Sequence, residues 1–275
     1  MWAGYSNVTG VTDMTFDFAD STMAELWAPA TKSDTGLWLH GFFKFDWRDT
    51  FIKIDSIAPN ANHSYTVTRS PLTPPQYPFT NGCRFYAVAA LELLDVPGEY
   101  HINNKTGDLH FLPLKPMTSE TNVMVSVLNT VVEAGADHHS FKDMTISVAR
   151  AGPAFTTVAN GTTVGTHVTV ENCTVSNSGG GCLALQGNFN TAKGNAVFGC
   201  GSSGIYVIAG DVNTLSPGNA SVVGNNMTQV ARIQRTYAPG VAFSGVGNYV
   251  ANNTVSDVPH TAITGGGNDW MFEYN

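Results

Sequence analysis

His167-Val168-Thr169-Val170, Cys173-Thr174-Val175, Cys182-Leu183-Ala184-Leu185 and Gly204-Ile205-Tyr206-Val207-Ile208 are short aliphatic or β-branched runs, each set off by Gly or Asn. None is long enough for a helix, and each has the composition of a strand bounded by turn residues. Asn returns at Asn172, Asn195, Asn225/Asn226, Asn252/Asn253 and Asn275, at intervals in the twenties to thirty, the range in which an internal repeat marks a stacked array. A coil of two or three short parallel strands explains the pattern. Val, Ile and Leu stack inward, Gly and Asn take the left-handed backbone at tight turns, and Asn side chains bond the equivalent Asn one coil away. Propeller blades need four strands in a longer repeat.

Outward from this stretch the composition changes. Residues 151–275 hold 20 Gly, 15 Asn and only 8 charged residues, whereas residues 1–150 hold 8 Gly and 26 charged residues. The first part reads as antiparallel strands, with alternation in Thr50-Phe51-Ile52-Lys53-Ile54-Asp55 and Tyr65-Thr66-Val67-Thr68. A hairpin is expected between Glu99–Ile102 and Leu109–Leu112 across Lys105-Thr106-Gly107-Asp108, and a helix only over Tyr86–Leu94. The organisation expected is an N-terminal β-rich module over 1–125 and a β-helix over 126–275.

The block Leu91-Glu92-Leu93-Leu94-Asp95-Val96-Pro97-Gly98-Glu99-Tyr100, followed by Lys105-Thr106-Gly107-Asp108-Leu109-His110-Phe111, resembles a signature of secreted right-handed parallel β-helix proteins of the pectin-lyase-like superfamily. Trp38 through Asp49, Ala209-Gly210-Asp211, Arg235 through Gly240, Gly245 through Asn248, Asp257 through His260 and Gly267-Asn268-Asp269 agree in order. The resemblance implies an all-β fold, a right-handed parallel β-helix behind a β-rich module. It also implies a carbohydrate-active, glycoside hydrolase-like role in an extracellular setting. Ala89 stands where Asn is usual, Asn103 where Asp is usual, Val212 where Arg often follows Gly-Asp, and Trp270 where His often follows Asn-Asp. Against the pattern of relatives, the chain reads as truncated at both ends.

A net charge of −8 with no basic stripe excludes a nucleic-acid partner, and no apolar run is long enough for a membrane span. Met1–Tyr5 lacks the features of an export signal, although eight N-x-[ST] sequons suit a secreted glycoprotein. The four cysteines show no C-x-x-C spacing and read as buried free thiols, and no metal or cofactor is expected.

Glycoside hydrolysis ordinarily needs two carboxylates, so the five acids of the second half carry the argument. Asp211 and Asp257, with Asp269 in reserve, are the candidate catalytic residues, and Arg235, Tyr237, His260 and Asn268 the candidate substrate-binding residues on a polysaccharide or oligosaccharide. Each Asp has a competing role as a turn residue satisfied by its own backbone. Two classes therefore stand: a hydrolase, and a non-catalytic carbohydrate-binding or surface β-helix. Among Trp38, Phe42, Phe43, Phe45 and Trp47, core packing of a sheet competes with stacking on sugar rings.

Overall fold

The computed structural model describes residues 5–275; Met1–Gly4, which include most of the stretch without an export signal, lie outside it. The chain divides into two compact units, Met1–Asn122 and Val123–Asn275.

The first unit is a six-stranded antiparallel sheet in the order Ser6–Asn7, Arg84–Val88, Leu37–Phe42, Thr50–Pro59, Tyr65–Arg69, Thr15–Phe18. Alternation decides its faces. Leu37, Leu39, Ile52, Ile54 and Phe85 point into a core with Phe16, Phe18 and Trp27, all buried. Trp27 comes from a helix, Ser21–Ala30, whose Ala24, Trp27 and Ala30 recur on one buried side. Its N-cap is Asp20, which accepts a hydrogen bond from the Met23 N–H. The helix expected at Tyr86–Leu94 is corrected. Arg84–Val88 is a strand, because Phe85 fills the core and the segment pairs with Leu37–Phe42; only a 3-10 turn, Leu91–Leu93, follows. The hairpin forms between Tyr100–Ile102 and Leu109–Phe111.

The second unit is the right-handed parallel β-helix. Sheet I stacks Val132–Glu133, Phe155–Thr156, Leu183–Gln186, Ile205–Ala209, Val241–Val246 and Ile263–Asn268. Sheet II stacks Ser140–Lys142, Thr169–Glu171, Thr191–Lys193, Ser221–Val223, Tyr249–Ala251 and Met271–Glu273. Sheet III stacks Thr145–Ser147, Thr174–Ser178, Ala196–Cys200, Asn226–Thr228 and Thr254–Ser256. Successive sheet I partners lie 23, 28, 22, 36 and 22 positions apart. A 22-residue turn is thus the bare coil, and the longer steps mark insertions. The interior is a column of aliphatic side chains, among them Val170, Val175, Leu185, Val197, Ile205, Val207, Met227 and Val250.

Each corner turns on one left-handed residue, and from the second coil to the fifth the residue after it is buried or half-buried. Between sheets I and II the left-handed residues are His138, His167, Phe189, Asn219, Gly247 and Asp269; between II and III they are Asp143, Asn172, Gly194, Gly224, Asn252 and Tyr274; between III and I, Val148, Asn177, Gly199, Gln229 and Asp257. The recurring asparagines split accordingly: Asn172 and Asn252 occupy the turn itself, while Asn195, Asn225, Asn253 and Asn275 follow it and form an internal ladder. Asn195 Nδ2 donates to Asn225 Oδ1 at 2.9 Å, Asn225 to Asn253 at 2.9 Å and Asn253 to Asn275 at 2.8 Å, each amide also serving a carbonyl one coil back. Cys173 holds the equivalent place one coil earlier, its N–H donating to Asn195 Oδ1 at 2.9 Å. At the other corner Trp270 substitutes for such an amide. Its indole N–H donates to Gly245 O at 3.1 Å, as Asn248 Nδ2 donates to Ala209 O at 2.9 Å one coil earlier.

The expectation of four free thiols is also corrected. Cys182 and Cys200 form a disulfide, because one turn of the coil brings the end of a sheet III strand back beside the start of its own sheet I strand, with Cα atoms 5.6 Å apart. Cys173 is free and buried; Cys83 is free and half-buried.

Candidate functional site

The 36-residue step of the fourth coil contains two insertions, and they emerge at different corners. The first begins after sheet I at Asp211 and returns through Ser216, the two residues forming an isolated antiparallel bridge. Asp211 Oδ1 accepts from the Asn213 N–H at 2.9 Å and Oδ2 from the Thr214 hydroxyl at 3.1 Å. These bonds, the Asn213 N–H first, hold the Asp211 carboxyl below its ordinary range, so it stays ionised and is unsuited to protonating a leaving group. Asp269 shares this corner two coils on, in the left-handed turn position, and Asn268 ends the adjoining strand as an exposed residue.

The second insertion, Ala231–Ala238, leaves sheet III and is pinned beside the disulfide. The Arg232 N–H donates to Cys200 O at 3.0 Å, and the Ile233 and Gln234 N–H groups donate to Gly201 O at 3.0 and 2.9 Å. With the next coil it forms a cleft of about 480 Å³ lined by Gln229, Val230, Arg232, Arg235, Asp257, Val258 and Pro259. Beside it the rings of Tyr237 and His260 sit 5.2 Å apart, and His260 Nδ1 lies 2.6 Å from the Thr261 hydroxyl. Asp257 is exposed and occupies the left-handed corner position, with φ of 51°.

The candidates therefore divide. Arg235, Tyr237, Asp257 and His260 gather at the III–I corner; Asp211, Asn268 and Asp269 gather at the I–II corner. A sheet I strand separates the corners, and the strand Val241–Val246, at about 3.3 Å per residue, is roughly 17 Å long. Paired glycosidase carboxylates stand about 5 to 9.5 Å apart. Asp211 and Asp257 are thus at opposite ends of the sheet. Sequence reasoning missed Gln229 and Val230 as lining residues; the signal available was the lengthened coil to which they belong. Among the described residues no group of three or more His, Cys, Asp or Glu is arranged to hold a metal ion.

A solved structure described as a glycoside hydrolase is similar to this chain, with a TM-score of 0.66 over 98% of this chain and 73% of its own, at 11% sequence identity. At that identity the likeness establishes the fold. No family model matches the chain, and no curated protein matches its sequence.

Proposed function

We propose that this protein is a carbohydrate-active β-helix that binds an oligosaccharide or polysaccharide in the III–I corner cleft of its fourth and fifth coils. The observation that carries the reading is the cleft itself: Arg232, Arg235 and Asp257 line one concavity whose wall is an insertion absent from the 22-residue coils. Guanidinium groups supply forked donors for sugar hydroxyls or carboxylates, and Asp257 supplies an acceptor. The fold-level likeness to a glycoside hydrolase supports a saccharide as the ligand. With one carboxylate in the cleft, binding fits the geometry better than two-carboxylate hydrolysis.

A secreted location is part of this proposal. The Cys182–Cys200 bond suits an oxidising compartment, and the sequon residues Asn7, Asn62, Asn104, Asn160, Asn172, Asn219, Asn226 and Asn252 are all exposed.

A glycan array followed by a hydrolysis screen on the same saccharides tests the reading. Binding that falls about tenfold in Arg232→Ala and Arg235→Ala, without cleavage, is the expected result. Cleavage that drops about a hundredfold in Asp257→Asn would instead establish the hydrolase. Absence of binding to any saccharide, or binding indifferent to all three substitutions, would overturn the site.

A further inference from the structure

The segment after the strand Leu37–Phe42 runs beside the end of the loop that carries Pro71, Pro74, Pro75 and Pro78, tied by the Thr80 N–H to Phe43 O bond of 2.9 Å. Phe43 and Phe79 are buried and pack at 5.3 Å in the core, whereas Phe45 and Tyr77 are half-buried and Trp47 is exposed. Phe45 and Trp47 stack with centroids 4.8 Å apart and planes 12° from parallel. Tyr77 meets both edge-on, at 5.1 and 5.7 Å. Trp47 remains 41% exposed. Polar groups flank the rings: Lys44 Nζ lies 5.1 Å from the Phe45 centroid, Asp46 is exposed in an ion pair with Arg84, and Arg48 follows Trp47 with a buried Nε that has no hydrogen-bond partner among the described residues.

The loop is fixed from below. Asp49 Oδ2 lies 2.8 Å from His40 Nε2, with both side chains nearly buried, and His40 stacks on Phe51 with centroids 4.0 Å apart. The Arg48 N–H closes the turn on Phe45 O at 3.1 Å. Core packing accounts for Phe43 and Phe79, whereas Phe45 and Tyr77 are half-buried and brace a Trp47 ring that stays exposed. An exposed indole held rigid by the rings packed against it, with donors and an acceptor at its rim, matches the C–H face of a pyranose and its equatorial hydroxyls, and its preorganisation lowers the ordering cost of binding. We propose that Phe45, Trp47 and Tyr77 form a second saccharide site, a stacking platform for an uncharged pyranose chain, in the N-terminal unit. It shares no residue with the β-helix cleft and stands whether or not that cleft binds sugar.

The test uses the full chain in affinity electrophoresis and tryptophan fluorescence with hydroxyethylcellulose, laminarin, galactomannan and xylan, and polygalacturonate as the anionic comparator. At least one neutral polysaccharide is expected to retard the protein and shift its emission. Trp47→Ala and Tyr77→Ala should each weaken that binding about tenfold, while Trp47→Phe keeps most of the binding and loses the emission change. Asp49→Asn, which alters the support and not the rings, should weaken it less. The emission change that depends on Trp47 should persist in Arg232→Ala and Asp257→Asn, which separates this site from the cleft. Retardation by no neutral polysaccharide, wild-type binding in folded Trp47→Ala and Tyr77→Ala, or an emission change that persists in Trp47→Phe would each overturn the platform.

Discussion

Replacing Asn225 with Ala probes the interior ladder at its most connected rung. The Asn225 side chain accepts from the Asn195 N–H at 3.0 Å and from Asn195 Nδ2 at 2.9 Å, and it donates to Ala192 O and Asn253 Oδ1. Asn225 is 1% exposed, so water does not replace what is removed. Two Asn195 donors lose their acceptor, and each buried unsatisfied group costs about 1–3 kcal/mol. The expected destabilisation is about 4 kcal/mol, a large share of the roughly 5–15 kcal/mol typical of a domain. For a unit of this size that corresponds to roughly 10 °C in melting temperature. Thermal and urea unfolding followed by circular dichroism measures it, with Asn226→Ala as control, since Asn226 is the neighbouring but exposed residue of the same turn. The control should fall within about 0.5 kcal/mol of the parent. If Asn225→Ala lies within about 1 kcal/mol of that control, the amides are not a cooperative ladder and the argument fails. The complementary change is Cys173→Asn, which offers an amide donor where Cys173 Sγ now lies 3.6 Å from Phe141 O and adds a rung at the next coil. It should stabilise by about 0.5–1.5 kcal/mol, and a loss of more than about 2 kcal/mol would show that the space there does not admit an amide.

Three further outcomes follow from other elements. Reduction of Cys182–Cys200 releases a constraint spanning 18 residues and should cost about 3 kcal/mol on chain-entropy grounds; urea midpoints equal with and without reductant would contradict this. Ala89 is left-handed, with φ of 65°, so Ala89→Gly should stabilise the N-terminal unit by about 1 kcal/mol, and a lower melting temperature would mean its methyl group packs. Glu171 lies between Lys142 at 2.8 Å and Lys193 at 2.9 Å, and the Lys142 and Lys193 hydrogen bonds lower its carboxyl to about 2. A depressed carboxylate stabilises above its unfolded value and loses that contribution as pH falls toward the folded one, so Glu171→Gln should flatten the stability profile between about pH 4.5 and 2. The groups are solvent-exposed, so salt should flatten the parent profile as well.

The β-helix was legible in sequence because its physics repeats every coil. Val, Ile and Leu inside and Gly or Asn at turns state the same local requirement in each coil, and the Asn spacing exposed the period even though insertions blurred it. Individual asparagines were less legible: Asn252 and Asn253 are adjacent, yet one supplies a left-handed backbone and the other an internal amide. The helix Ser21–Ala30 was missed since its signals are weak, an Asp cap and three small or aromatic buried positions, with Pro29 in its last turn. The disulfide was missed because Cys182 and Cys200 become neighbours only when the chain wraps one full turn. Corner identity was invisible for the same reason. Asp211 and Asp257 both follow β-type runs, but one leaves sheet I and the other sheet III.

That distinction governs how the scarce acids of the second unit are to be understood. Asp257 and Asp269 stand at positions that are left-handed in every coil described, where Asn and Gly also recur and where a β-branched residue is strained. Asp211 closes its own loop. Each of the three has a conformational reason to be Asp, so its presence alone is not evidence of chemistry. The cleft arginines are not fixed by corner conformation. Arg232 and Arg235 are two of only three basic residues after residue 150, and neither is among the left-handed positions. Asp257 gains functional weight from lying opposite them, whereas Asp211 and Asp269, at the other end of sheet I, do not. The same reasoning points to Trp47 in the first unit, whose exposure the core does not require.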